Sequence, residues 1–503
     1  MENNIKSIMN EIELEIGKLD IFTKFSKETI LLGGLAVCRE RINGIIDSNS
    51  YGKELIDEIE TIDMVTQLAS DYAVGSEKID LNKIEDLNIF DDLYAKAKNY
   101  LDIHNIYEIG KEGICKYNIE GKNIAVIFQS DSFHINTRID IQNIITNIKN
   151  SDIKSKRMES VLGKKEKNIY EYARKIINCT QEVFLDNEMI ISGFSIGDYW
   201  KIEAVILGVC LWDYEKCKRY TILGKEEKEF IDFIIKETNL PEAIVTSVLD
   251  YLTFNFQDAL SLMYTPLIKF GEIVYIGTFF FINANYERNL MATMNVKSKN
   301  IIDSNQKIKE KSLLKKMQEI VKRYPNLSYI NNKKLKNDDG NIVTDIDFLV
   351  YDEKNAIVIE TKNLLQPCTV SEHLNYIGRT EKKGLRKGFK QLQNIKELLE
   401  QDREKYIEEV LKNKNINAIL YLLVTNGYIG NIDNSEISIM NILMFEEMID
   451  ECHGDLFQVF EYILNKKFMA TINFIEGERI VELFEYTFCI PTYLIPNGEL
   501  DNL

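Results

Sequence analysis

Apolar positions recur every three to four residues through Ile5–Ile16, Ile30–Ile46 and Leu55–Leu68, the spacing of helices with one buried face. No proline occurs before Pro241, which suits long helices. Around 113–130 the spacing changes to alternation, turning at Glu120-Gly121-Lys122, and predicts a hairpin. The polar, Lys-rich stretch Asn150–Lys167 reads as a linker or exposed loop. Helical spacing returns through 168–185 and 197–220, with Trp200 and Trp212 expected in the core. Residues 226–254 predict two helices broken at Asn239-Leu240, with Pro241 in the first turn of the second. Short apolar strands are expected over 259–283, ending in Phe279-Phe280-Phe281, then a helix from about Asn285 to Val296.

The second half opens with an amphipathic helix over 307–323. Leu313, Leu314, Met317, Ile320 and Val321 share one face, and Glu310 falls on that face too. Pro325-Asn326 ends it. A strand Leu327–Leu335 and a turn at Asp338-Asp339-Gly340 follow. Residues 341–363 then read NIVTDIDFLVYDEKNAIVIETKN, two β-type runs around Asp352-Glu353-Lys354-Asn355. A turn centred between Glu353 and Lys354 sets Asp347 opposite Glu360 and Asp345 opposite Lys362. Directly opposed Cβ atoms lie about 4.5–5.5 Å apart. Alternation gives Ile346, Phe348, Val350, Ile357 and Ile359 one face and Asp345, Asp347, Glu360 and Lys362 the other. A basic loop with Arg379, Lys382, Lys383, Arg386, Lys387 and Lys390 comes next, interleaved by Gly378, Gly384 and Gly388. The helix Leu385–Leu399 buries Leu392, Ile395, Leu398 and Leu399, with Gln391 at the edge of that stripe and Gln393 further toward solvent. Ala418–Thr425 and Ile437–Leu443 extend the sheet. The tail, with Pro491 and Pro496, reads as a closing strand or peripheral extension.

The length of 503 residues allows two or three domains. The divisions expected are 1–300, mostly helical with a break near 150–167, then 301–470, then a C-terminal extension over 471–503. No apolar run reaches the ~18 residues of a membrane span, and the first residues lack a basic-then-apolar signal pattern. A cytoplasmic protein with no membrane partner is expected. Eight cysteines are scattered without C-x-x-C, and the four histidines are not grouped with them, which argues for reduced thiols rather than zinc. The net charge of −18 argues against a generally basic nucleic-acid binder. Its distribution changes that picture: residues 301–400 hold 19 Lys+Arg and 14 Asp+Glu, while the rest hold 42 and 65. The basic excess surrounds the acidic hairpin, as phosphate binding requires.

Three carboxylates and one ammonium converge on one face of that hairpin. Like charges opposed across strands are destabilising, and a hard cation such as Mg²⁺, which prefers carboxylate oxygen, would remove the penalty. Asp347 followed by Glu360-Thr361-Lys362 resembles the PD-(D/E)XK nuclease superfamily. TDIDFLV…AIVIETKN is especially similar to its nuclease-related-domain and restriction-endonuclease-like members. The superfamily's proline is absent, Ile346 standing before Asp347. The resemblance covers roughly 305–450, and the element order αβββαβ fits it. It implies an α/β restriction-endonuclease-like core with a mixed central sheet, following the α+β, mostly helical N-terminal region that the apolar spacing predicts. It implies that Asp347 and Glu360, with a backbone carbonyl near Thr361, hold Mg²⁺ or Mn²⁺, and that Lys362 orients the attacking water. It also implies Gln391 as a glutamine near the site and Glu310 as a further metal ligand. For Glu310 a first-turn position complementing the helix dipole explains the residue equally.

The expectation is therefore a Mg²⁺-dependent endonuclease. DNA is the substrate the resemblance favours; the residues leave RNA open. Arg379, Lys382, Lys383, Arg386, Lys387 and Lys390 would contact phosphate. A long acidic N-terminal part suggests regulated cleavage, as in bacterial antiviral defence effectors, with a homo-oligomer or partner protein engaged through that part. Two other readings stand beside it. One is an inactive nuclease fold that binds nucleic acid or serves as a scaffold. The other is a helix-turn-helix regulator using residues 226–254.

Overall fold

The computed structural model describes residues 2–47, 53–78, 88–113, 115–128, 169–180, 185–258, 260–298, 313–336, 339–364, 370–378, 382–401, 410, 416–426, 437–465 and 475–494. It mixes helix and sheet, with a helical N-terminal region and a mixed sheet in the C-terminal part.

Sustained helical spacing produces α1 (Glu2–Gly17), α2 (Asp20–Lys24), α3 (Lys27–Asp47), α4 (Lys53–Tyr72) and α5 (Asn88–Lys111). They bury Ile12, Ile16, Phe22, Leu32, Ile62, Val65 and Tyr94 in one core. β1 (Cys115–Glu120) and β2 (Asn123–Phe128) form the expected hairpin, closed at Glu120↔Asn123 with Gly121 at φ +64°. A second helical core gathers on α6 (Ile169–Thr180) and α7 (Ile196–Cys217). β3 (Ile190–Ile191) and β4 (Phe194–Ser195) precede α7; β5 (Ile222–Glu226), α8 (Glu227–Thr238) and α9 (Glu242–Leu252) follow it. The break between α8 and α9 falls at Asn239, a left-handed cap at φ 56°. β6 (Leu267–Phe270) and β7 (Ile273–Gly277) pair in a small sheet with β5.

Two aromatic expectations change. Phe279, Phe280 and Phe281 end no strand; they lie in the short buried helix α10 (Thr278–Ile282). Trp212 is 55% exposed, with the Lys216 ammonium 5.0 Å from its ring, while Trp200 is buried. Helix α11 (Tyr286–Lys297) starts where expected, capped by the Asn285 side chain accepting from the Arg288 amide. The Asn150–Lys167 linker lies outside the described residues.

The C-terminal part begins with a helix over 313–321, α12, whose expected apolar face is buried. β8 (Ser328–Lys336), β9 (Ile342–Tyr351) and β10 (Asn355–Lys362) run antiparallel in sequence order. α13 (Val370–Ile377) and α14 (Gly384–Gln401) then lead to β11 (Ala418–Thr425), which pairs with β10 in parallel. β12 (Ser438–Asn441), α15 (Ile442–Glu451) and α16 (Leu456–Leu464) follow, and the sheet order is β12-β11-β10-β9-β8. Parallel neighbours require a crossover, and α14 lies on it. A strand covered on both faces reads as continuously apolar, and in β10 every residue from Ala356 to Thr361 is buried. One face packs under α12 and α15, the other under α14.

The chain then returns to its N-terminal region. β13 (Ile475–Leu483) and β14 (Tyr486–Leu494) form a hairpin, and β14 pairs in parallel with β2. Val481, Leu483, Phe488 and Ile490 enter the α1–α5 core. Asn99 donates to the Glu482 carbonyl at 2.9 Å, and Arg479 pairs with Asp102. Truncation of the fully buried Phe488 to alanine should therefore lower stability by about 3–5 kcal/mol. The exposed neighbour change Ile480→Ala should stay within about 0.5 kcal/mol. Urea unfolding of the full chain checks both.

Candidate active site

The turn between β9 and β10 is built by Asp352. Its Oδ1 accepts from the backbone N–H groups of Lys354 and Asn355 at 2.7 and 2.6 Å, and its own N–H donates to the Asn355 carbonyl. An aspartate bonding to backbone two and three residues ahead fixes such a turn. The register follows as expected: Ala356↔Tyr351, Ile357↔Val350, Val358↔Leu349 and Ile359↔Phe348. Ladder pairing ends there. At the next position Asp347 substitutes a side chain for the ladder: its Oδ2 accepts from both the Thr361 amide and the Thr361 hydroxyl, each at 2.9 Å. Asp345 pairs across with Lys334 of β8, and no Asp345–Lys362 rung forms.

One face assignment needs correction. Phe348, Val350, Ile357 and Ile359 share the core under α12 and α15. Ile346 instead joins Leu335, Leu349, Ala356 and Val358 under α14. Between Ile346 and Phe348 the β8–β9 ladder skips Asn332 and Asp347, and Asn332 has φ 51°. The strand turns over at that point, so simple alternation fails at Asp347.

The acidic face is covered unevenly, because β10 is the central strand and the amphipathic α14 lies across it. Glu360 is 1% exposed, Asp347 and Lys362 are half-buried and Asp345 is exposed. Lys362 donates to Glu360 Oε1 and, at 3.1 Å, to Gln391 Oε1 on α14. Gly388, one turn before Gln391, permits this approach. A Cβ there would stand 2.8 Å from Leu423 Cδ1 and 3.2 Å from Lys362 Cε. The glycine makes room for protein, whereas the sequence pattern suggested room for phosphate. Beyond Lys362, the Leu364 amide donates to Asn426 Oδ1 at 2.9 Å, tying the strand end to the neighbouring parallel strand.

Burial pushes the Glu360 carboxyl up to about 8. Lys362 opposes the shift, while the nearby charges of Asp347 and Asp345 add to it. Glu360 Oε2 is buried with no hydrogen-bond partner. A buried carboxylate oxygen left unpaired is costly, and protonation or a bound cation would each relieve it. Two carboxylates are suitable donors for a hard divalent ion. Among the described residues no group of three or more His, Cys, Asp or Glu side chains could hold a metal. Glu310, the third acidic candidate, lies outside the described residues, as does Arg379.

The remaining basic candidates divide. Lys382 and Lys383 precede α14; Arg386, Lys387 and Lys390 stand on it rather than in a loop. All are exposed except the half-buried Arg386. One partner was missed by the sequence pattern, Asn426, which anchors the strand end. Thr361 and Gly388 were singled out there in other roles; in the fold Thr361 also fixes Asp347, and Gly388 seats the helix. Gly388 standing three residues before Gln391 was the one available signal.

Comparison with protein-family models, with curated proteins and with solved structures finds no match.

The shifted carboxyl makes a pH prediction. The unfolded chain releases the Glu360 proton near the ordinary value of 4.5, whereas the folded chain keeps it to about 8. Its contribution to stability is complete below 4.5 and is lost as pH rises toward 8. In metal-free buffer, Glu360→Gln should therefore gain stability relative to the parent across that window. Chemical denaturation at pH 5 and pH 8 checks this; a difference that does not change with pH contradicts it.

Proposed function

We propose that the chain is a metal-dependent nuclease that hydrolyses phosphodiester bonds, with a restriction-endonuclease-like core over its second half. The observation that carries this reading is the grouping of Asp347, Glu360, Lys362 and Gln391 at one end of β10 beneath α14. The mixed sheet with the order α12-β8-β9-β10-α14-β11 supports it.

Asp347 and Glu360, with the backbone at Thr361, would hold Mg²⁺ or Mn²⁺. Such an ion supplies charge neutralisation at the phosphate and a more acidic bound water. The chain's own groups do the rest. The Thr361 amide and hydroxyl fix one oxygen of Asp347 and leave the other available. The Lys362 ammonium, fixed by two acceptors, stands ready to orient a water and to stabilise charge on the phosphate in the transition state. Gln391 holds that ammonium at the site. The exposed Lys382, Lys383, Lys387 and Lys390, with Arg386, would track the phosphate backbone, giving affinity without sequence choice. DNA is the substrate we favour, on the resemblance noted above. A role in antiviral defence, with the N-terminal region as regulator, extends the same reading by analogy.

The helix-turn-helix alternative loses support from the fold. α9, which would be the recognition helix, contains no lysine or arginine, and its Val245, Val248, Leu249 and Leu252 are buried in the helical core. Among the described residues no helix is long and apolar enough to cross a membrane.

The test is cleavage of plasmid DNA and of RNA with Mg²⁺ or Mn²⁺. Lys362→Ala and Asp347→Asn should each cut at least ~100-fold more slowly than the parent, the size of loss typical when a preorganised transition-state group is removed. Equal cleavage by parent and variants, or none by the parent on any substrate, overturns the assignment. Mg²⁺ binding should release a proton below pH 8, because Glu360 must ionise to bind. Calorimetry in two buffers of different ionisation enthalpy measures that release. Binding heat independent of buffer would remove Glu360 from the ligand set.

A further inference from the structure

The N-terminal region reaches this site through a buried cation. Arg288 of α11 is 4% exposed. Its guanidinium donates to the Tyr264 hydroxyl and, at 3.1 Å, to Glu372 Oε2; the Tyr264 hydroxyl donates to Glu372 Oε1 at 2.8 Å. Both carboxylate oxygens of Glu372 are thus held by the N-terminal region. Tyr264 is itself fixed from several sides. Thr293 donates to its carbonyl at 3.3 Å, and Asn289 donates to the preceding Met263 carbonyl at 2.8 Å. Asp63 of α4 accepts from the Ser261 hydroxyl and the Leu262 amide of the same loop.

Glu372 lies in the first turn of α13, on the connection that runs from Lys362 to α14. The two ends of α13 belong to different cores. Val370 packs against the α1–α5 cluster, and Tyr376 is buried with Leu385 and Leu392 of α14. α14 in turn places Gln391 on Lys362 and Gly388 against the carbons of the same side chain. A continuous series of packed contacts therefore joins Arg288 to the ammonium of the site.

We propose that Arg288 is a positioning residue of the nuclease site. By gripping Glu372 it fixes α13, and α13 fixes the helix that seats Gln391 on Lys362. The proposal rests on the nuclease reading for its effect on cleavage, and on the fold alone for its effect on the helix. Loss of Glu372 leaves the buried Arg288 charge uncompensated, and loss of Arg288 removes the grip on Glu372, so either change should release α13.

Hydrogen exchange of the full-length protein tests it, comparing the parent with Glu372→Ala and Arg288→Met. Both variants should lose at least ~10-fold protection over residues 384–392, while residues 442–451 on the opposite face of the sheet keep theirs. Cleavage should slow at least ~10-fold in kcat with KM unchanged. Glu372→Gln, which retains an acceptor, should recover most of both losses. The Glu372 side chain is a third exposed, so Glu372→Ala carries the test should Arg288→Met fail to fold. Unchanged protection over 384–392, or an equal fall over 442–451, overturns the proposal. Selective loss of protection in a protein whose parent cuts nothing upholds the coupling and removes the nuclease reading instead.

Discussion

The burial of Glu360 between the sheet and α14 is the constraint on which the site depends. A carboxyl at the centre of a parallel strand pair must find a partner, become neutral, or bind a cation. Here one oxygen finds Lys362 and the other finds nothing, and burial raises the acid. Lys362 is held in turn by the carboxylate below and by Gln391 above. Replacing Lys362 by an apolar residue would take this partner from both Glu360 and Gln391 at once. Burial makes the proton on this carboxyl harder to remove than on an exposed carboxylate.

Strand order puts that constraint where chemistry can use it. β9 leaves the ladder after Phe348, while β10 continues beside β11 to Lys362. Asp347 covers the gap by bonding to Thr361, so an acidic side chain takes the place of a strand neighbour. The site therefore forms at the carboxyl end of a central strand, next to a crossover helix. In open α/β sheets that is the usual location for ligands, because strand ends leave a crevice which the connections wall in.

Much of this was legible in the chain. The turn residues Asp352–Asn355 set the register as far as Ile359↔Phe348, and beyond it Asp347 bonds to Thr361, next to Glu360. The spacing of Leu392, Ile395 and Leu399 identified the helix, while Gln391 was singled out by the resemblance alone. The failures have local causes. Alternation misplaced Ile346, because the β8–β9 ladder is interrupted beside it, at Asp347 and the left-handed Asn332 of β8, and such an interruption leaves no hydropathy signal. A two-strand pattern does not report which helix covers a face, so the burial of Glu360 under α14 left no signal in the hairpin. Gly388 carries a packing role that only three-dimensional proximity reveals. Trp212 looked like core on composition alone, yet its ring lies against Lys216 at the surface.

The N-terminal region is joined to this site by topology as well as by Arg288. β14 completes a sheet begun by β2, so the chain segment carrying the site starts and ends on one N-terminal body. An insertion held at both ends cannot rotate freely about a single linker. A rearrangement in the N-terminal body must then reach the site either through its two chain connections or through a side contact. Glu372 is such a contact, and it stands on the connection between the two strands and helices that make the site. A signal arriving there needs no long displacement. The distance between Lys362 and Gln391 is 3.1 Å, and a hydrogen bond of that length is lost by a shift of well under one helical turn. On the proposal above, the Arg288–Glu372 contact is the route by which the N-terminal body would act on the Lys362–Gln391 bond.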